Sequence, residues 1–272
     1  MSAPNSLRYR LYAFLLLLGW VPVSVAEEAP ARAVHEIVAH RGSRADRPEN
    51  TLASARRAIE AGATAVEIDV RMTKDGALVL SHDPTVDRVT NGTGRIKDKT
   101  LDEVEKLDAG EKFDPKFKGE RIPTLEQELT VCRGKVDALL DLKENGDEYD
   151  RKVIETVKTS GDPHRTIIGV RTVEQAKKFR SQLPEARQLG LIEDQKDVDA
   201  FRAAGVEMIR LWPKWLPDEK LVARVRQDGG KLHLNGKTGA ADEVLKLLEY
   251  RPDSISSDDP ARLKATLATL GR

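Results

Sequence analysis

The sequence predicts a parallel α/β fold, either a (β/α)8 barrel or a doubly wound sheet. Short β-rich runs alternate with helical patterns almost to the C-terminus, which is the signature of both architectures. The 272 residues are enough for one large domain or two modest ones with a sizeable core. The 45 basic and 45 acidic residues cancel at a charged fraction of 33%. That balance excludes the basic surplus of a nucleic-acid binder, and together with the apolar content it excludes long disorder. No internal repeat or long like-charge run is visible.

The N-terminus reads as a signal peptide over residues 1–26. Arg8 and Arg10 precede the apolar run from Leu11 to Leu18, and Ser24-Val25-Ala26 places small residues where a signal peptidase reads. Gly19 and Pro22 interrupt the stretch, which is shorter than the roughly 20 apolar residues of a membrane span. No Cys follows as a lipoprotein acceptor. The expectation is an exported protein, periplasmic or secreted, with no stable membrane span after cleavage. The mature chain 27–272 is slightly acidic, because both charges lost are basic. Cys132 is the only cysteine and cannot form an internal disulfide, so it reads as a small packed side chain.

The strand candidates, in order, are Glu36 to Ala39, Ala65 to Val70, Leu78 to Ser81, Ala138 to Leu142, Thr166 to Val170, Arg187 to Ile192, Met208 to Trp212, Lys231 to Leu234 and Ser254 to Ser256. The first helix is capped near Asn50-Thr51, places Leu52, Ala55 and Ile59 on one face, and stops at Gly62. Further helices are expected at Val153 to Thr159, Val173 to Arg180, Asp197 to Ala204, Asp218 to Gln227 and Ala241 to Glu249.

These runs make one strand too many for an eight-stranded barrel, and the surplus is identifiable. Between Val70 and Leu78 there is no room for a parallel crossover, and Asp75-Gly76 is a turn signal, so the two runs form an antiparallel hairpin. Facing residues then have numbers that add to roughly 150. His82 returns to the neighbourhood of Glu67 and Asp69, which project together while Ile68 projects away. From about Asp83 to Glu128 the pattern breaks into turns and loop, with a short helix from Leu101 to Leu107. A connection this long reads as a lid or an inserted subdomain.

Polar residues gather at the C-terminal ends of three strands, where barrel enzymes place catalysis. They are His40-Arg41-Gly42 with Pro48-Glu49-Asn50-Thr51, Glu67-Ile68-Asp69 with His82-Asp83, and Asp141-Leu142-Lys143. Each has a plain structural alternative. Glu67 and Asp69 in a buried strand require either a salt bridge or a cation. Asp141 and Lys143 alone read as an ion pair, and His40 alone as a hydrogen-bonded structural histidine.

Together they suit displacement at a phosphodiester. Glu67, Asp69 and Asp141 offer oxygen ligands to a hard divalent cation, Mg2+ or Ca2+ rather than zinc. Arg41 presents a fork to phosphate oxygens and Lys143 a point charge. His40 and His82 titrate near neutrality and suit general acid and base.

These motifs, with Thr73-Lys74-Asp75-Gly76, Arg88 to Gly94, Pro123-Thr124-Leu125 and Ser257-Asp258-Asp259-Pro260, resemble the signature of the glycerophosphodiester phosphodiesterases. The resemblance runs from about His35 to Pro260. It implies a distorted (β/α)8 barrel with a small insertion after the second strand. It also implies hydrolysis of a glycerophosphodiester to sn-glycerol 3-phosphate and an alcohol, with the substrate's neighbouring hydroxyl as first nucleophile and a cyclic phosphate between the two steps.

Residue by residue, it implies that His40 and His82 are the acid/base pair and that Glu67 and Asp69 are metal ligands. Arg41 and Lys143 become phosphate contacts, and Glu49 and Asn50 orient the site. Asp141 stands where most members have Glu. Gly169-Val170 replaces the usual Ser-Phe, and the usual Trp-Thr-Val-Asn near the eighth strand reads His233-Leu234-Asn235-Gly236-Lys237-Thr238. Those regions line the pocket in the family, so these departures bear on substrate choice. Trp212 and Trp215 form an apolar wall at the mouth, with choline cation–π contact as a further option, or are packing residues. The rival readings are a phospholipase-type enzyme acting on lipid headgroups and a non-catalytic phosphodiester-binding barrel. Oligomeric state is not legible.

Overall fold

The computed structural model describes residues 29–271, so the expected signal peptide at residues 1–26 lies outside the described residues. Nine strands are present among the described residues: β1 (Glu36–Ala39), β2 (Ala65–Met72), β3 (Leu78–Leu80), β4 (Asp137–Leu142), β5 (Thr166–Val170), β6 (Arg187–Gly190), β7 (Met208–Leu211), β8 (Lys231–Asn235) and β9 (Ser254–Ser257). Every strand but β3 joins a closed parallel barrel, in the order β1, β2, β4, β5, β6, β7, β8, β9 and back to β1. The alternative of a doubly wound sheet is thereby excluded.

β3 pairs antiparallel to β2 through Val70 with Leu80, Arg71 with Val79 and Met72 with Leu78, the register the turn at Asp75-Gly76 dictates. Barrel strands alternate in and out. Ala65, Leu139, Ile167, Leu189 and Met208 fill the interior, while Ile68, Leu140 and Ile168 face the helix layer. Glu67, Asp69 and Asp141 share the inward parity of Ala65 and Leu139, so alternation alone aims them into the barrel.

The helices are α1 (Leu52–Ala61), α2 (Leu101–Val104), α3 (Leu125–Cys132), α4 (Asp147–Ser160), α5 (Val173–Gln182), α6 (Val198–Ala203), α7 (Glu219–Arg226), α8 (Ala241–Leu248) and α9 (Pro260–Leu270). Two were not anticipated. α3 begins inside the stretch read as loop, where Thr124 and Gln127 form a capping box. α9 starts at Pro260, with the Asp259 carboxylate accepting from Arg262 N. α4 starts at Asp147, six residues before the expected Val153, on an acidic first turn that favours the helix dipole. Cys132 is buried, and burial pushes its thiol pKa up.

Between β3 and α3 the chain builds a small core of its own from Val79, Val86, Ile96, Val104, Ala109 and Ile122. The Asp108 carboxylate organises this segment by accepting from the backbone N–H groups of Gly110, Glu111 and Gly119 at 2.9, 2.8 and 2.6 Å. The opposite end of the barrel is tied by Arg187, which pairs with Glu36 and with Asp137 at 2.7 Å.

Candidate active site

The loop after β1 is shaped by three successive demands on the backbone. Arg41 and Gly42 are both left-handed, at φ 57° and 79°, and Asn50 follows at φ 52°. A Cβ on Gly42 would fall 2.8 Å from the Ser54 carbonyl carbon and closer still to its side chain, so only glycine fits. The turn aims the Arg41 backbone N–H at Glu67 Oε2, 2.7 Å away. Asn50 lies just before the Thr51 cap of α1 and clamps Asp69 at two points: its Nδ2 donates to Asp69 Oδ2 at 2.7 Å, and its Oδ1 accepts from Asp69 N at 3.2 Å.

The three acids converge as expected. Asp69 and Asp141 are register partners on β2 and β4. One carboxylate oxygen from each of Glu67, Asp69 and Asp141 lies within 4.8 Å of the others, and all three residues are buried. Lys143 Nζ stands 2.7 Å from Asp69 Oδ1 and 2.5 Å from Asp141 Oδ2. Arg41 Nε is 3.3 Å from Asp69 Oδ2, and Arg171 donates to Asp141 Oδ1 at 2.6 Å. Burial opposes the charge on Asp69, but Lys143 and Arg41 overcome it and pull its pKa below the ordinary carboxylate range.

Burial, then the charges of Asp69 and Asp141, push Glu67 well above that range. Burial also works against the Lys143 charge, and the neighbouring acids still hold its pKa up. The set fits a hard divalent cation. Its donors are all oxygen, Glu67 is costly to ionise without one, and Asp69 Oδ1 is buried with no aligned hydrogen-bond donor.

The two histidines repeat one arrangement. His40 Nδ1 is 2.7 Å from Asp258 Oδ1, and His82 Nδ1 is 2.8 Å from Asp83 Oδ1. Burial opposes ionisation of both partners, but hydrogen bonds and cationic neighbours win and hold their pKa values below the ordinary Asp value. An ionised carboxylate only accepts, so each imidazole carries its proton on Nδ1 and leaves Nε2 basic. The hairpin brings His82 back because Ser81 N donates to Asp69 O at 3.0 Å, and Arg71 Nη2 holds the His82 carbonyl at 2.6 Å. Burial, the dominant effect, shifts the His82 pKa below its ordinary value.

Glu49 gathers a cationic cluster: Arg41 at 3.1 Å, Arg88 at 2.6 Å and Arg44 at 3.6 Å. Arg88 also donates to Asp83 at 2.6 Å, which links Glu49 to the partner of His82.

All nine residues named from sequence therefore fall at one barrel mouth: His40, Arg41, Glu49, Asn50, Glu67, Asp69, His82, Asp141 and Lys143. Sequence reasoning gave no role to Asp83 or Asp258, although both lie in quoted motifs. It missed Arg171 and Arg210, which no local pattern marks. His233 was noted only as a departure. Its ring is buried between Ser254 Oγ at 2.8 Å and Asn235 Oδ1 at 3.2 Å, and burial, then the Arg210 charge, hold its pKa at about 3.

A Cβ on Gly169 would lie 2.9 Å from both Leu140 O and Leu191 Cδ1, so Leu191 occupies the space there. The face of Trp212 is taken by Arg210, whose guanidinium carbon lies 4.2 Å from the ring centroid.

A sequence model of the Glycerophosphoryl diester phosphodiesterase family matches residues 40–262. A glycerophosphodiester phosphodiesterase of Caldanaerobacter subterraneus subsp. tengcongensis is 36% identical, covering 84% of this chain and 95% of its own length. One of Bacillus subtilis strain 168 is 30% identical over 92% of this chain and 94% of its own. Among solved structures, a glycerophosphodiester phosphodiesterase from Agrobacterium tumefaciens str. C58 superposes with a TM-score of 0.74 at 30% identity, covering 85% of this chain and 99% of that one. The fold is also that of an Oleispira antarctica phosphodiesterase solved with the product sn-glycerol-3-phosphate, with a TM-score of 0.77 at 24% identity, over 88% and 99% of the two chains. The barrel, its acidic mouth and these matches together establish that the chain belongs to the glycerophosphodiester phosphodiesterase family of hydrolases.

Proposed function

We propose that this enzyme cleaves glycerophosphodiesters to sn-glycerol 3-phosphate and an alcohol with the help of one divalent cation, Mg2+ or Ca2+, and that His40 and His82 transfer the protons. The observation that carries the reading is the pair of imidazoles, each anchored at Nδ1 by a carboxylate, at the mouth that holds three buried acids. Glu67, Asp69 and Asp141 would hold the cation, which when bound neutralises charge and polarises a phosphoryl oxygen.

Arg41 and Lys143 meet the phosphate, and Asn50 keeps the Asp69 carboxylate from rotating. Glu49 holds the Arg41 side chain through Nη1. One neutral imidazole takes the proton of the attacking hydroxyl at Nε2, while the other, which enters the step protonated at both nitrogens, delivers its Nε2 proton to the departing alcohol. Asp83 and Asp258 stabilise whichever ring is charged. The arrangement supports catalysis over mere binding, since binding a diester requires no anchored acid/base pair.

The enzyme is proposed to be exported, with residues 1–26 removed and 27–272 forming the catalytic barrel with its insertion. No described helix is long and apolar enough to cross a membrane. The test is turnover of glycerophosphocholine and glycerophosphoethanolamine with Mg2+, Ca2+ or EDTA, followed by coupled detection of glycerol 3-phosphate. Activity that survives EDTA removes the metal assignment, and no turnover with any cation removes the substrate assignment. Activity only on intact phospholipid would favour a headgroup-cleaving enzyme. N-terminal sequencing of exported protein should begin at Glu27.

A further inference from the structure

Arg210 is an unmatched charge in the barrel. It stands on β7, on the side of the closed barrel across from β2. It lines a cavity of about 40 Å3 together with His40, Glu67, Asp141, His233 and Asn235. Its Nε is buried without a hydrogen-bond acceptor. Among the described residues its guanidinium makes no ion pair within 4.0 Å, and stacking on Trp212 holds its plane in place. His233, its register partner on β8, stays neutral and cannot compensate it.

The acids that attract Arg210 most are Asp141 and then Glu67, the same groups that would hold the cation, while Glu193 attracts it less from outside that set and Arg171 repels it. A bound divalent cation would take up two of the three negative charges of its ligands, so the attraction left for Arg210 is weaker. Arg41, Lys143 and the cation suffice for the single charge of a phosphodiester. Arg210 is half-buried with its Nε fully enclosed, and a guanidinium so placed without a partner calls for a second anion. A carboxylate matches the planar guanidinium fork with two parallel hydrogen bonds.

We infer that Arg210 selects phosphodiesters whose barrel-side alcohol carries a carboxylate, a glycerate unit in place of glycerol. The inference rests on the phosphodiesterase reading above and goes beyond it, since a glycerate diester would give a phosphoglycerate in place of glycerol 3-phosphate. His233 and Asn235 border the same cavity beside Arg210. The vicinal hydroxyl survives in a glycerate unit, so the chemistry at phosphorus is unchanged.

The test compares two synthetic diesters with the same 4-nitrophenyl leaving group, one of glycerol and one of glycerate, hydrolysed by the full protein with Mg2+ or Ca2+. The expected result is a kcat/KM at least tenfold higher for the glycerate diester. In Arg210→Gln the ratio of the two kcat/KM values should fall at least tenfold, and Arg210→Lys should keep part of it, because charge remains without the fork. Calorimetry provides a readout independent of turnover: 3-phosphoglycerate should bind at least tenfold more tightly than glycerol 3-phosphate, and Arg210→Gln should erase the difference. Thermal melts verify folding, and if Arg210→Gln does not fold, the wild-type preference and Arg210→Lys decide.

A wild-type preference for the glycerol diester overturns this inference alone, as does an equal loss on both diesters in the variant. Turnover of neither diester by the wild type overturns the proposed function as well.

Discussion

Two histidines from different loops arrive at the same local chemistry, and each depends on one carboxylate. Removing the imidazole of His82 by His82→Ala should lower kcat by roughly 10²–10⁴-fold while calorimetry still detects cation binding. The Asp83 hydrogen bond raises the His82 pKa against the burial that lowers it. Asp83→Asn should therefore move the acid limb of the kcat/KM profile to lower pH and reduce kcat by roughly 10–100-fold. An acid limb that stays in place would remove His82 from the titrating step. The candidate residues were legible one by one because each lies in a short polar motif beside a strand. Their partners were not, since Arg171 reaches Asp141 from 30 residues away and Asp258 reaches His40 from 218.

The hairpin was readable at the scale of elements because a two-fold alternation and a strong turn leave only one register that buries the right face. Helix α3 was not, because its capping box follows a run of turns that reads as continuous loop. α3 also buries Glu128, whose Oε2 has no hydrogen-bond partner and whose pKa burial pushes up to about 8. Such a carboxyl is protonated when folded. Its contribution is complete below pH ~4.5 and is lost as pH rises toward 8, because the unfolded chain releases that proton first.

Glu128→Gln should thus be nearly neutral at pH 4.5 and stabilise by roughly 2–4 kcal/mol at pH 8, as read from urea denaturation. A substitution effect independent of pH would show that Glu128 is ionised when folded. In the loop after β1, Gly42→Ala should cost roughly 2–4 kcal/mol, from left-handed strain and overpacking against Ser54. A melting curve unchanged by Gly42→Ala would mean the loop has another conformation.

At the scale of the molecule, closing the barrel sets three carboxylates against one another, and a cation relieves them only in the folded state. Mg2+ or Ca2+ at about 100 times its dissociation constant should add about 2.7 kcal/mol of stability. The melting temperature should then rise by roughly 5–10 °C, since a chain of this size gains about 2–4 °C per kcal/mol. EDTA should reverse the rise, and Asp141→Asn should shrink it. A melting temperature indifferent to both cations would mean the acids are satisfied by Lys143, Arg41 and Arg171 alone.

The sequence by itself determined the alternation of strands and helices, the antiparallel hairpin, the inward parity of Glu67, Asp69 and Asp141, and the family. All of these are written in local periodicity or in contiguous motifs. Only the tertiary structure decided that the sheet closes, that Asp83 and Asp258 anchor the two imidazoles, and that Arg210 faces the cavity without a counter-charge. Those facts depend on distances between strands far apart in the chain, and no local pattern of residue types encodes a distance across a barrel.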